Sequence, residues 1–221
     1  MSKIFIVIPA YNEEKTIAKV IEGLLQENYN NIVIVNDGSA DCTSKIVLNY
    51  PVYLLTHNIN RGQGAALRTG TEFAVKQGAD IVIHFDGDGQ HQVKEIDDFV
   101  EKINQGFDIA IGSRFLSGAK NIPFTKKYLI HKPAILVNWF FSGLKLTDAH
   151  NGFRALNRHA AKKIKITQNR MAHNTEIPAE IVKRKLNFTE VPVEVIYTEY
   201  GQGFGGGIKI ILDLLKQKIL N

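Results

Sequence analysis

The sequence predicts an α/β fold, a mostly parallel sheet flanked by helices and followed by an amphipathic C-terminal helix. Three observations carry that reading. Apolar runs of the kind buried on both faces of a parallel sheet recur, as in Lys3–Pro9 (KIFIVIP) and Ile32–Val35. Between them lie stretches with apolar residues at helical spacing, such as Ile17, Val20, Ile21, Leu24 and Leu25. Polar clusters at Asn12, Asn36–Asp37, Asn60–Arg61 and Asp86–Asp88 stand where strands end, and open α/β sheets bind ligands at that carboxyl rim.

Each element has its own local justification. After the first strand, Asn12 is expected to cap a helix with Glu13 and Glu14 in its first turn, where the dipole favours acids. The second strand runs into the turn cluster Asn36-Asp-Gly-Ser39, which leads a helix over Asp41–Asn49. A short strand at Val52–Leu55 ends at His57-Asn58. The Gly-rich turn Asn60–Gly64 opens a helix to about Gln77, and Ile81–Phe85 is the central strand. A helix over Val93–Asn104, a strand at Asp108–Ile111 ending in Gly-Ser-Arg114, a polar loop from Asp148 to Arg154, a helix holding Thr175, Glu176 and Glu180, and a strand at Glu190–Ile196 complete a first unit of residues 1–200. In the remaining unit, 201–221, a glycine run forms a hinge, and Ile208, Ile211, Leu212, Leu215 and Ile219 share one helix face. That helix either docks on its own domain, pairs with a partner or lies in a membrane interface. The run Gly201, Gly203, Gly206 formally matches a dinucleotide fingerprint, but no second strand or ribose-binding acid follows it.

With 221 residues, 44% of them hydrophobic and 22% charged, the chain is long enough for a substantial core, and its composition is that of a soluble globular protein. Its net charge of +5 favours an anionic partner. A single cysteine, Cys42, excludes an internal disulfide and suits a reducing, cytoplasmic setting. No signal peptide is legible, and no apolar stretch reaches the ~20 residues of a membrane span. Residues Ala119–Leu146 are basic first (Lys126, Lys127, His131, Lys132), then apolar and aromatic (Trp139, Phe140, Phe141). That region is either a core-packing helix pair or a lip touching lipid or a second subunit.

The chemistry concentrates in Ile81–His91. A strand puts positions i and i+2 on one face, so Asp86 and Asp88 can address one hard cation, and oxygen ligands suit Mg²⁺ or Mn²⁺. A polar turn after a buried strand is the alternative. An EF-hand does not fit, because Gln90 and His91 stand at its fifth and sixth positions and a strand precedes the loop.

Taken in order, these motifs resemble the family 2 glycosyltransferases of GT-A fold, in particular the branch with dolichyl-phosphate mannose synthase and bacterial polyprenyl-phosphate glycosyltransferases. Ile8-Pro-Ala-Tyr-Asn-Glu-Glu14 resembles the opening nucleotide loop, which implies donor contacts at Pro9, Ala10, Tyr11, Asn12 and Glu13. Val35–Thr43 resembles the second such loop, with Asp37 against the base, and Asn60, Arg61 and Gly64 fall in a third. Phe85–His91 resembles the Asp-x-Asp motif, implying donor contacts at Asp86 and Gly87 and a metal set of Asp86, Asp88 and Gln90. Arg114 matches a phosphate-approaching arginine, and Asp148, Asn151 and Arg154 match an acceptor-side segment, to which Lys126 and Lys127 are added. The resemblance implies inverting transfer of a sugar from a nucleotide diphosphate sugar to a lipid phosphate at an anionic membrane surface. It implies no nucleic acid. The catalytic set is then Asp88, Arg114 and, for an acceptor needing a base, Glu176.

The chain departs from the family pattern in three ways. Gln92-Val93 replace a common Pro-Pro, lysines stand where the acceptor side often carries arginines, and membrane-spanning helices are missing. A peripheral position on the cytoplasmic face, anchored by the tail helix and the basic-aromatic lip, is the expectation that follows. The apolar segment 134–144 would also suit a homodimer. Competing readings are a hydroxyl acceptor on a glycan, glycolipid or glycoprotein, and a catalytically silent nucleotide-binding scaffold.

Overall fold

The structure, a computed structural model, describes residues 2–116, 139–148 and 151–195. In chain order its elements are β1 (Ile4–Ala10), α1 (Ile17–Gln26), β2 (Ile32–Asn36), α2 (Thr43–Val47), β3 (Tyr53–Thr56), α3 (Gln63–Lys76), β4 (Ile81–His84), a 3₁₀ turn (Val93–Glu95), α4 (Ile96–Asn104), β5 (Ile109–Ser113), β6 (Arg154–Asn157), α5 (Arg158–Lys163), α6 (His173–Arg184) and β7 (Phe188–Pro192). The expected lip residues Lys126 and Lys127, the glycine hinge and the C-terminal helix lie outside the described residues.

The strands form one sheet in the order β3-β2-β1-β4-β6-β5-β7. The pairs β1–β2, β1–β4, β2–β3 and β5–β7 are parallel, as the apolar runs predict. The alternation of β1 explains why both faces must be covered. Ile6, Ile8 and Ala10 pack with α1 and α4 on one side, while Phe5 and Val7 pack with α3, α5 and α6 on the other. Each of the larger side chains among these, withdrawn fully from water, contributes about 1.5–3 kcal/mol. Helix and sheet approach closely at Gly70 of α3, where an added Cβ would collide with Val7 and stand 3.1 Å from Val35. Gly70→Ala is therefore expected to lower stability by about 1–3 kcal/mol through overpacking, read as a fall in the urea midpoint.

Several expectations need correction. The segment from Asp148 to Arg154 does not stay a loop: its last residue opens β6, which inserts antiparallel between β4 and β5 and pairs Arg154 with His84. The last strand is Phe188–Pro192, which pairs with β5 two residues earlier than expected. Asn12 caps nothing. It sits at φ 58°, its amide N–H donates to Ser39 Oγ (3.0 Å), and its side-chain oxygen accepts from Ala40 N (2.9 Å). The helix begins only at Ile17, so Glu13 and Glu14 lie before it. Asn12 thus ties the loop after β1 to the loop after β2, one of several bonds that also join Glu13 N to Thr43 and Glu14 N to Asp41.

Candidate active site

The loops after β1, β2 and β4 meet at the carboxyl rim of the sheet, joined by Asn12 N–H to Ser39 Oγ (3.0 Å) and Thr16 Oγ1 to Gly87 O (2.8 Å), and Asp86 lies in the last of them. Gln63 Nε2 donates to its Oδ1 (2.9 Å), and His91 Nε2 lies 3.4 Å from its Oδ2. The His91 ring is held between Phe85 and Phe153, with centroids 5.9 and 5.1 Å away. Gly152 passes so near that an added Cβ would stand 2.5 Å from the carboxylate, so only glycine fits there. Burial pushes the Asp86 carboxyl up. The His91 hydrogen bond and the charges of His91, Arg154 and His173 outweigh it, and the group ends below the usual carboxylate range.

Asp88 and Glu13 behave oppositely. Burial, with the charge of Asp86 next, raises Asp88, although Gln90 N–H donates to its Oδ1 at 3.0 Å. Glu13 is raised by burial and then by Asp88, Asp86 and Asp41, against a hydrogen bond from Thr16. Three carboxylates therefore crowd one edge and repel one another. No group of three or more His, Cys, Asp or Glu at metal-binding spacing occurs among the described residues. Magnesium-like ions are satisfied by one or two carboxylates, with substrate phosphates and waters completing the shell, so Asp86 and Asp88 fit such a cation and their repulsion is what it would relieve.

Asp37, expected against the base, turns its carboxylate inward. It accepts from Arg61 N (3.0 Å) and Gly62 N (2.6 Å) and meets His57 Nδ1 at 2.7 Å, while His57 Nε2 reaches Thr69 Oγ1 at 3.0 Å. Its role here is to hold the Asn60–Gly64 turn. Tyr11, Asn60 and Arg61 are exposed on the rim, whereas Ala10 and Gly64 are buried.

On the other side of Asp86, Arg114 at the end of β5 forms a two-pronged pair with the buried Asp148, with Nε–Oδ2 at 2.6 Å and Nη2–Oδ1 at 2.7 Å. Asp148 thus aims the arginine. Asn151 is buried too, its oxygen accepting from Phe153 N. Arg154 is 2% exposed, so its guanidinium lies within the core beneath the rim. Its Nη2 donates to Asn174 Oδ1 (2.5 Å), burial lowers it to about 10, and Asp86 and Asp148 act against that fall. Beside it, His84 is fully buried, bonded to Thr71 Oγ1 (2.9 Å), and driven down to about 3 by burial and then by Arg154, so it is neutral. Glu176 is engaged elsewhere: its carboxylate accepts from Thr167 N, Thr167 Oγ1 and Gln168 N.

Sequence reasoning missed Gln63, His57, Gly152 and Asn174, and it quoted His91 without assigning it a role. The one available signal was position, since Gln63 and His57 also follow strand ends on the same rim.

A mostly parallel sheet with an acidic rim, a glycine-opened turn and a clamped arginine places the polar groups at the carboxyl edge where open α/β enzymes bind their ligands. The chain matches the model of Glycosyl transferase family 2 over residues 5–165 and belongs to that family; it is a glycosyltransferase of GT-A fold. It is 36% identical to the UDP-N-acetylglucosamine--dolichyl-phosphate N-acetylglucosaminyltransferase of Methanococcus voltae, an alignment covering 98% of this chain and 96% of that protein. It is 25% identical to the polyprenol monophosphomannose synthase of Mycolicibacterium smegmatis, covering 89% and 78%. Among solved structures, glucosyl-3-phosphoglycerate synthase of Mycobacterium tuberculosis, in complex with Mn²⁺, UDP and glucosyl-3-phosphoglycerate, superposes with a TM-score of 0.72 at 15% identity, over 99% of this chain and 77% of that one.

Proposed function

We propose that this glycosyltransferase moves a sugar from a nucleotide diphosphate sugar to the phosphate of a membrane polyprenyl or dolichyl lipid, using Mg²⁺ or Mn²⁺ held by Asp86 and Asp88. The observation that carries the acceptor class is the full-length likeness to the dolichyl-phosphate enzyme of Methanococcus voltae. The state of Glu176 supports it. A hydroxyl acceptor needs a base, and the expected base is committed to three donors of residues 167–168. A phosphate oxygen is already ionised near neutral pH and needs none.

In this reading the acceptor phosphate oxygen forms a bond to the anomeric carbon as the bond from that carbon to the diphosphate oxygen breaks. The electron pair leaves with the nucleoside diphosphate, and the anomeric centre inverts. The cation supplies Lewis-acid neutralisation of the leaving diphosphate. Asp86 presents its charge in an orientation set by Gln63 and His91. Arg114, fixed by Asp148, adds positive charge beside the phosphates. No helix among the described residues is long and apolar enough to cross a membrane, so contact with the lipid is peripheral in this reading. The exposed Trp139 and Phe140 and the basic stretch before them supply that contact, on the cytoplasmic leaflet.

The test is an acceptor panel: labelled UDP-N-acetylglucosamine and other nucleotide sugars offered with Mn²⁺ to polyprenyl phosphate, polyprenol and an oligosaccharide. Label is expected in the organic phase with the lipid phosphate alone. Label on the polyprenol or the oligosaccharide would contradict the acceptor class.

A further inference from the structure

The segment 166–170 forms a strap across the start of α3, and Glu176 is its anchor. On the α3 side, Ala65 N–H is shared between Gly62 O (3.0 Å) and Asn169 O (3.1 Å), a three-centre bond of the kind common at helix ends that ties the strap to the helix start. Carbonyls of the strap occupy the space that a Cβ would need at Gly62 and Gly64, and Gly62 also has φ 101°, so glycine is required at both. Arg68 grips the strap from the next turn, with Nη1 to Ile166 O at 2.9 Å and Nη2 to Asn169 Oδ1 at 3.2 Å. On the α6 side, Glu176 accepts from Thr167 N (2.9 Å), Gln168 N (2.9 Å) and the Thr167 hydroxyl.

The turn under this strap reaches both Asp37 and Asp86. Arg61 N and Gly62 N bind Asp37, and Gln63 binds Asp86. We propose that Glu176 is a positioning residue for the nucleotide and metal site, acting through the 166–170 strap on the first turn of α3 and so on Asp86. This rests on the donor site proposed above but not on the identity of the acceptor. Without its carboxylate, two backbone amides and a hydroxyl lose a charged acceptor, and the strap no longer fixes the turn from which Gln63 reaches Asp86.

The test needs no acceptor. UDP is titrated by calorimetry into the full chain with saturating Mn²⁺, for the unaltered protein, Glu176→Gln and Thr167→Val, with circular dichroism to confirm folding. UDP affinity is expected to fall about tenfold in Glu176→Gln, and by a smaller factor in the same direction in Thr167→Val, which loses only the hydroxyl. Unchanged UDP affinity in both folded variants overturns the proposal. If sugar transfer by Glu176→Gln then drops a hundredfold at unchanged UDP affinity, Glu176 is a catalytic base after all. Failure of the unaltered chain to bind UDP with Mn²⁺ overturns the donor site itself, a result distinct from either.

Discussion

Asp88→Asn is expected to slow sugar transfer by about 10²–10³-fold while leaving the fold intact. The substitution keeps the shape of the side chain and the oxygen that accepts from Gln90 N–H, so the local turn has no reason to change. It removes the negative charge that, with Asp86, would hold a cation against the leaving diphosphate. Charge stabilisation of that kind is worth several kcal/mol in the transition state, and every 1.36 kcal/mol is a factor of ten in rate. Burial and Asp86 raise Asp88, so its ionised form is disfavoured in the chain without a cation. The amide relieves that repulsion, and thermal stability without metal should hold or rise slightly. The measurements are initial rates at saturating donor and a melting curve. A variant that keeps its rate within threefold would remove Asp88 from the mechanism. Conversely, loss of turnover in a folded variant excludes the silent-scaffold reading.

Arg154→Met should lower stability by about 3–5 kcal/mol, the usual cost of removing one member of a buried charged network. The guanidinium is 2% exposed, donates to Asn174, and is the buried cation shared by Asp86 and Asp148. Methionine fills similar space, so the loss reads out charge and hydrogen bonding more than packing. For a domain of this size the melting temperature should fall by about 10 °C. Arg154→Lys keeps the charge but not the planar fork, and is expected to fall between the two. An Arg154→Met chain that melts within 2 °C of the original but has lost acceptor affinity would instead restore Arg154 to the acceptor side.

The parallel half of the sheet was legible because β1, β2 and β4 are buried on both faces, and such strands write unbroken apolar runs. β6 was not, because it has four residues and opens on an arginine. What makes Arg154 a core residue is long-range, the pairing with His84 and the bond to Asn174, twenty residues on. Asn12 followed a cap rule that failed because its partners lie in the neighbouring loop, 27 and 28 residues away. In the site, Asp86 and Asp88 were legible from their spacing. The reach of Gln63 to Asp86 spans 23 residues, and no local pattern says which carboxylate an amide will face. Glu176 shows the same limit from the other side. A carboxylate at the start of a helix looks available in sequence, and only the returning segment 167–168 reveals what it holds.

The most direct test of a cation site built on Asp86 and Asp88 is the paramagnetic resonance signal of free Mn²⁺, followed as protein is added with and without UDP. One Mn²⁺ per chain should be withdrawn from solution when UDP is present, with much weaker withdrawal in its absence, and the effect should disappear in Asp86→Asn. Undiminished Mn²⁺ binding in that variant, or UDP binding that ignores the metal, would contradict the account.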